Sequence, residues 1–181
     1  EMHPLLTPKL TNATIRRAVE DYLDGGSRKQ RVVKKYGDIS NWDVSNVTNM
    51  RGMFREASSF NQPLNNWDVS NVKKMDMMFS HAYTFNQPLN NWNVSNVTDM
   101  ELMFHAAHSF NQALDKWDVS RVTNMGGMFA SATSFNQPLN NWNVSNVTSM
   151  NGMFWDAESF NQPLHAPWYH DVSSSSESDS E

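Results

Sequence analysis

The sequence contains no cysteine, and glycine and proline are scarce, with 7 of each among 181 residues. Without cysteine, a disulfide framework, a thiolate metal site and a cysteine nucleophile are all excluded. Long apolar runs are also missing, since none approaches the roughly 18 residues that a membrane-spanning helix requires. The sequence therefore predicts no membrane span.

An excess of positive charge is absent as well, because the formal net charge is −5. This balance predicts no general affinity for nucleic acids. The charge is distributed unevenly: residues 1–37 carry eight Lys and Arg against four acids, whereas residues 165–181 carry four acids and no base. Only the N-terminal segment favours an acidic partner, and a basic docking helix is one alternative for it.

What the sequence does contain is a repeat. Tryptophan recurs every 25 residues, and Met, Phe and Leu columns keep the same period, namely Met50 to Met150, Phe54 to Phe154, Phe60 to Phe160 and Leu64 to Leu164. Self-similarity at this period is typical of leucine-rich-repeat solenoids. Stacked repeats would bury these side chains, each worth about 1.5–3 kcal/mol.

Two segments of the repeat suggest regular structure. In "VTNMRGMFREA" the apolar residues lie three apart, which predicts a short helix or 3₁₀ turn. The segment Phe60 to Leu64 is a candidate parallel strand, although Pro63 opposes it. The predicted fold is a leucine-rich-repeat-like solenoid with short parallel strands, short helical turns and an α-helical N-terminal cap.

The stretch "NWDVSNVTNMRGMFREASSFNQPL" resembles the repeat of the BspA-like leucine-rich-repeat surface proteins, which is also known from mycoplasma-type lipoproteins. The resemblance covers residues 39–164 and combines Trp-Asp-Val-Ser, Val-Thr-x-Met, Met-Phe and Ser-Phe-Asn-Gln at one period. It implies a leucine-rich-repeat-like solenoid that acts in adhesion or protein binding at a cell surface. It implies no catalytic residues.

Four segments are expected along the chain: a helical N-terminal cap (1–37), five repeats (38–164), a C-terminal closure (165–172) and a disordered acidic Ser-rich tail (173–181). In the cap, one helical face carries the apolar residues Ile15, Ala18, Val19, Tyr22 and Leu23. Thr11 or Asn12 is the predicted helix cap, and Gly25-Gly26 the predicted end. A second short helix is expected before Gly37.

Two polar columns are assigned structural roles. Asn61 and Gln62, with their equivalents in each repeat, are expected to form amide ladders between repeats. Asp43, Asp68 and Asp118 share a column with Asn93 and Asn143. Because a calcium site of the β-helix type would need a Gly-rich turn, this second column is interpreted as turn-forming.

Candidate binding residues lie in the columns that vary among repeats. These columns flank the apolar positions of "VTNMRGMFREA" and are expected to face outward along one edge. Tyr83 and Trp155 are the kind of side chain that anchors protein interfaces. The candidates are Arg51, Arg55, Asp76, His81, Tyr83, Glu101, His105, His108, Trp155 and Asp156.

Other chemistries have weaker support. His81, His105 and His108 fall in neighbouring repeats and raise a zinc-site or pH-switch hypothesis. They occupy three different columns without an evident acid ligand, so neither a metal ion nor a cofactor is predicted. No phosphate loop, nucleophile elbow or carboxylate pair stands outside the repeat pattern, and the chain is predicted not to be an enzyme.

The sequence thus favours a non-catalytic scaffold that binds a protein partner, or mediates adhesion, through a variable edge at the cell surface or after secretion. The alternative is a structural subunit of a larger assembly, such as a viral particle or an organellar complex, which would be intracellular or virion-associated. The identity of the ligand and the oligomeric state stay open at this point.

Overall fold

The computed structural model describes residues 7–164, which begin with helices and continue as turns. Helix α1 spans Ile15–Asp24, helix α2 spans Gly26–Tyr36, and a single 3₁₀ turn spans Ile39–Asn41. Neither α-helix in this part of the chain has the length and apolar character needed to cross a lipid bilayer. Five repeats follow, which we number from their tryptophans: 42–66, 67–91, 92–116, 117–141 and 142–164.

The predicted leucine-rich-repeat-like solenoid of short parallel strands is wrong. Between residues 7 and 164 no strand or sheet forms, and parallel pairing is limited to single residues, such as Asn49 with Lys74 and Lys74 with Asp99. The strand candidate at residues 60–64 is irregular. Pro63 supplies the physical reason, because a proline has no N–H to donate to a neighbouring strand.

The predicted helical turn inside each repeat is wrong too, because the segment is a succession of β-turns. In the first repeat, the N–H of Met53 donates to the carbonyl of Met50 at 3.2 Å, and Ala57 donates to Phe54 at 3.1 Å. The third residue of each turn has a positive φ, 60° at Gly52 and 61° at Glu56. A positive φ at this position is the property of type II turns, and it breaks a helix.

The turns leave alternate N–H groups free to bond the next repeat. Gly52 donates to the carbonyl of Asp76 at 2.9 Å, and Glu56 donates to that of Ser80 at 2.8 Å. In the second repeat the N–H of Phe79 likewise donates to the carbonyl of Met103 at 2.8 Å. Each repeat therefore satisfies backbone groups of its neighbour without forming a strand.

The left-handed positions form two columns, and most of their members are not glycine. The first contains Gly52, Met77, Leu102, Gly127 and Gly152; the second contains Glu56, His81, Ala106, Ser131 and Asp156. A left-handed conformation costs a residue with a Cβ roughly 1–2 kcal/mol. The fold therefore tolerates strain at seven of these ten positions.

Aromatic columns fill the interior between repeats. Phe79 stacks on Phe104 with ring centroids 5.6 Å apart, and within one repeat Phe79 stacks on Phe85 at 4.3 Å. Trp92 stacks on Trp117 at 6.4 Å, and its indole N–H donates to the carbonyl of Leu64 at 2.8 Å. The framework tryptophans of the second to fifth repeats thus combine burial with a hydrogen bond to a backbone carbonyl 28 residues earlier in the chain.

The amide ladders predicted from the sequence are confirmed. The side-chain oxygen of Asn61 accepts bonds from the N–H of Asn86 at 2.9 Å and from Nε2 of Gln87 at 3.1 Å. The same arrangement recurs in the following repeats. The column of Asp43 is turn-forming as interpreted, since its Oδ1 accepts from the N–H of Ser45 at 3.1 Å. Hydrogen bonds from the hydroxyl and the backbone N–H of Ser45 lower the pKa of Asp43.

The N-terminal segment covers one edge of the first repeat. Asn12 takes the place of a preceding repeat there, because its Oδ1 accepts from the N–H groups of Thr48 at 3.0 Å and Asn49 at 3.2 Å. Arg16 reaches the carbonyl of Arg51 at 2.8 Å. Tyr22 packs edge-on against the terminal Trp42, with ring centroids 5.9 Å apart.

Details of α1 differ from the sequence prediction. Ile15, Ala18, Val19 and Tyr22 are buried as predicted, but Leu23 is 41% exposed. The predicted cap at Thr11 or Asn12 is wrong, since the residue before the helix is Thr14 and Asn12 bonds the first repeat instead. Helix α1 ends at Asp24 and is followed by Gly25, whose φ of 72° only glycine adopts readily.

The adjacent alanines Ala106 and Ala107 provide a matched test of the turn conformation. Ala106 has a φ of 55°, so Ala106→Gly removes left-handed strain and is expected to stabilise the protein by roughly 0.5–1 kcal/mol. Ala107 is fully buried without a positive φ, so Ala107→Gly is expected to destabilise by roughly 1 kcal/mol. Urea denaturation measures both changes. Equal destabilisation by the two substitutions would contradict the turn assignment.

Candidate functional site

The variable columns lie on the turn segments, and not all of their members face solvent. Asp76 and Ser80 are 5% and 3% exposed, so the expectation that these two residues face outward is wrong. The Asp76 carboxylate contacts Arg51 at 3.1 Å. A position that varies among the repeats can therefore be exposed, or it can be buried in contact with a partner residue.

The structure brings the three histidines of the turn segments together with a tyrosine. The Nδ1 atoms of His81 and His105 lie 3.0 and 3.5 Å from the hydroxyl of Ser80. The two imidazole rings meet edge to face at 4.9 Å, and Tyr83 stacks on His108 at 4.9 Å. We call Ser80, His81, Tyr83, His105 and His108 the histidine–tyrosine cluster. Because residues 25 apart are neighbours in the stack, two repeats suffice to build it.

The electrostatics of this region reflect partial burial. Burial lowers the pKa of His105, and the positive charges of His81, Arg55 and His108 lower it further. At Asp76, burial raises the pKa of the carboxyl and the negative charge of Asp99 adds to the effect, whereas Arg51 opposes it. The cluster therefore favours a neutral His105 imidazole that can exchange hydrogen bonds with Ser80.

The other predicted binding residues lie along the same turn segments. Arg55 and Glu56 approach to 3.9 Å, and both are exposed. Glu101 is exposed, with its backbone N–H held by the carboxylate of Asp99 at 3.0 Å. In the last repeat, Trp155 is 59% exposed and Asp156 approaches the hydroxyl of Ser131 at 3.3 Å. Trp155 lies three repeats beyond Tyr83, so the two exposed aromatic side chains belong to separate parts of the edge.

The histidines do not assemble a metal centre with a third ligand. Among residues 7–164, no group of three or more His, Asp or Glu side chains is placed to hold a metal ion. His108 contacts Tyr83 through ring stacking, while His81 and His105 share Ser80. The cluster instead makes ring contacts and hydrogen bonds, which are interactions suited to recognition.

A groove that the sequence analysis missed lies between the N-terminal helices and the first repeat. Its volume is about 390 Å³, and its walls include Tyr22, Leu23, Lys29 and the segment from Arg55 to Gln62. The basic composition of residues 1–37 was the available sequence signal, but only the packing of α1 and α2 shows which base faces the repeats. None of the residues that line the groove belongs to the histidine–tyrosine cluster.

The protein is expected to lose stability between about pH 7.5 and pH 5.5. The pKa of His105 is depressed in the folded state, so its stabilising contribution is complete above the ordinary pKa of 6.5 and is lost as the pH falls toward the folded pKa. Thermal unfolding at the two pH values measures the loss, and His105→Gln should reduce the difference in Tm. An unchanged difference in this variant would contradict the burial of an imidazole base at residue 105.

Comparison with curated proteins finds no match, and comparison with solved structures finds none either. A protein-family model does match, over residues 28–120 and again over residues 89–178. The family is described as "Mycoplasma protein of unknown function, DUF285". The two matched ranges overlap and together span most of the chain, as a tandem repeat requires. The chain belongs to this DUF285 repeat family.

Proposed function

We propose that the protein is a non-catalytic repeat scaffold that binds a partner protein through its variable edge, which we define as Arg55, Tyr83, His105, His108 and Trp155. One observation carries the proposal. Between residues 7 and 164 the exposed large apolar side chains are Leu23, Tyr83 and Trp155, and two of these three lie on the variable edge. Exposed aromatic side chains at variable positions supply the anchors that protein interfaces use.

The framework residues support the same proposal because they are engaged within the stack. The indole of Trp92 donates to the carbonyl of Leu64, Asn61 accepts from Asn86 of the next repeat, and Asp118 accepts from Ser120 at 3.0 Å within its turn. Their chemistry is used for structure, so recognition falls to the variable residues. A framework that holds its shape while a few side chains change is suited to binding partners rather than to catalysis.

We propose further that this binding is adhesion at a cell surface or after secretion. The support is the family membership, together with the resemblance of the repeat to those of BspA-like surface proteins. Under this proposal the partner is a protein outside the cell, and the stacked repeats present the variable edge to it.

The proposal is tested with immobilised extracellular-matrix proteins as probes and with the double variant Tyr83→Ala/Trp155→Ala. Truncation of two interface anchors is expected to weaken binding at least about tenfold, equivalent to roughly 1.4 kcal/mol. Thermal unfolding should change little, because both side chains are exposed. Surface plasmon resonance measures the affinities.

The matched control is Asn66→Ala/Lys116→Ala, which truncates two exposed side chains that each lie directly before a framework tryptophan. This control should bind as the unchanged protein does. Equal losses in both double variants, or no binding of the unchanged protein to any probe, would contradict the proposal. A protein that elutes only as large assemblies in size-exclusion chromatography would favour the structural-subunit alternative.

A further inference from the structure

The amide ladder inside the stack shows which acceptors its donor groups bind. In repeats two to five, the backbone N–H of the ladder asparagine and the Nε2 of the following glutamine both donate to the ladder asparagine of the preceding repeat. For Asn111 and Gln112 the two bonds to Oδ1 of Asn86 are both 3.0 Å, and Nε2 also approaches the backbone carbonyl of Asn86 at 3.3 Å. This donor pair therefore binds one side-chain oxygen together with a peptide carbonyl.

The first repeat carries the same donor pair without a preceding repeat. Within residues 7–164, no group accepts a hydrogen bond from the N–H of Asn61 or from Nε2 of Gln62. Asn12 and Arg16 replace hydrogen bonds of the missing repeat at residues 48–51, and Gly37 accepts from the indole N–H of Trp42, but neither donor of the pair receives such a replacement. Gln62 is accordingly exposed, whereas the four glutamines that follow it in the column are half-buried.

These two donors line the groove between the N-terminal helices and the first repeat. Lys29 and Arg55 line it too, and Glu56 is the acid among its walls. The ammonium of Lys29 lies 4.5 Å from the ring centre of Tyr22, and the guanidinium of Arg55 is 3.9 Å from the Glu56 carboxylate. The groove therefore contains hydrogen-bond donors, and its walls carry two positive charges against one negative charge.

We propose that this groove binds an acidic, extended peptide segment of a partner protein. A carboxylate of the peptide takes the place that the asparagine oxygen occupies in the interior ladder, bonded by the N–H of Asn61 and Nε2 of Gln62. A backbone carbonyl of the peptide takes the place of the asparagine carbonyl. Lys29 and Arg55 select a carboxylate over a carboxamide, because a bond from a donor to an ionised acceptor is stronger than one to a neutral acceptor.

The apolar wall of the groove suits a peptide rather than a small anion. Leu23, which lines the groove, is 41% exposed, whereas Phe60 in the same lining is 5% exposed, so Leu23 supplies most of the apolar surface. An extended segment alternates its side chains, so a residue next to the bound acid would contact Leu23. The groove shares Arg55 with the variable edge but contains neither Tyr83 nor Trp155, so Tyr83→Ala/Trp155→Ala and Lys29→Gln test the two proposals separately.

The test uses the full chain and the probe Ac-Gly-Glu-Ser-Asp-Gly-NH₂, with Ac-Gly-Gln-Ser-Asn-Gly-NH₂ as its neutral counterpart. Titration followed by ¹H–¹⁵N NMR should give saturable shifts at the Asn61 amide and the Gln62 side-chain amide. The neutral peptide should bind at least about fivefold more weakly, equivalent to roughly 1 kcal/mol.

A pair of substitutions on helix α2 separates the groove from general attraction to basic charge. Lys29→Gln should weaken binding of the acidic peptide at least about fivefold, whereas Lys34→Gln removes an exposed base outside the groove and should leave it unchanged. Gln62→Ala should weaken binding without loss of thermal stability, since Nε2 has no partner among the described residues to lose.

Three results would overturn the proposal. The first is the absence of shifts at Asn61 and Gln62 in millimolar acidic peptide. The second is equal binding of the neutral peptide, or an equal effect of Lys29→Gln and Lys34→Gln. The third is a change in the Asn61 and Gln62 resonances when residues 171–181 are deleted without peptide, which would assign the groove to the acidic end of the chain itself.

Discussion

Hydrogen bonding from one repeat to the next is the interaction on which the described structure depends. A repeat contains neither helix nor strand, so its buried backbone groups find only part of their partners locally. N–H groups of one repeat donate to the turn carbonyls of the next repeat, as when the N–H of Phe79 donates to the carbonyl of Met103. Aromatic stacking in the same direction supplies the apolar burial that makes this arrangement stable.

The same dependence explains why both ends of the stack have special chemistry. The first repeat has no predecessor, and Asn12 accepts from the N–H of Thr48, the group that the preceding repeat bonds in each later repeat. The N-terminal helices do not reproduce the predecessor along its whole length, and the donors of Asn61 and Gln62 remain in a basic groove. A capping segment that covers the first repeat incompletely thus leaves hydrogen-bond donors available for recognition.

Sequence reasoning predicted the columns and the ladders because a fixed period makes every residue a neighbour of its own copy. It failed on local conformation for a physical reason. Met50 and Met53 lie three residues apart, a spacing that a helical turn and a β-turn both produce. A positive φ favours glycine, and three repeats have glycine in the first left-handed column, at residues 52, 127 and 152. The other two repeats have Met77 and Leu102 there, so the column as a whole did not indicate a positive φ. Among the site residues, Asp76 was misplaced because a buried carboxylate in contact with Arg51 of the adjacent repeat looks the same in the sequence as an exposed one.

Hydrogen-bond scalar couplings test this account most directly. In the isotope-labelled protein, a long-range HNCO experiment should correlate the N–H of Phe79 with the carbonyl carbon of Met103, and that of Phe104 with Met128, a constant offset of 24 residues. The account also predicts a coupling from the indole N–H of Trp92 to the carbonyl of Leu64. Correlations along residues 60–64 and 85–89 in a parallel-strand pattern, without those at the turns, would contradict it.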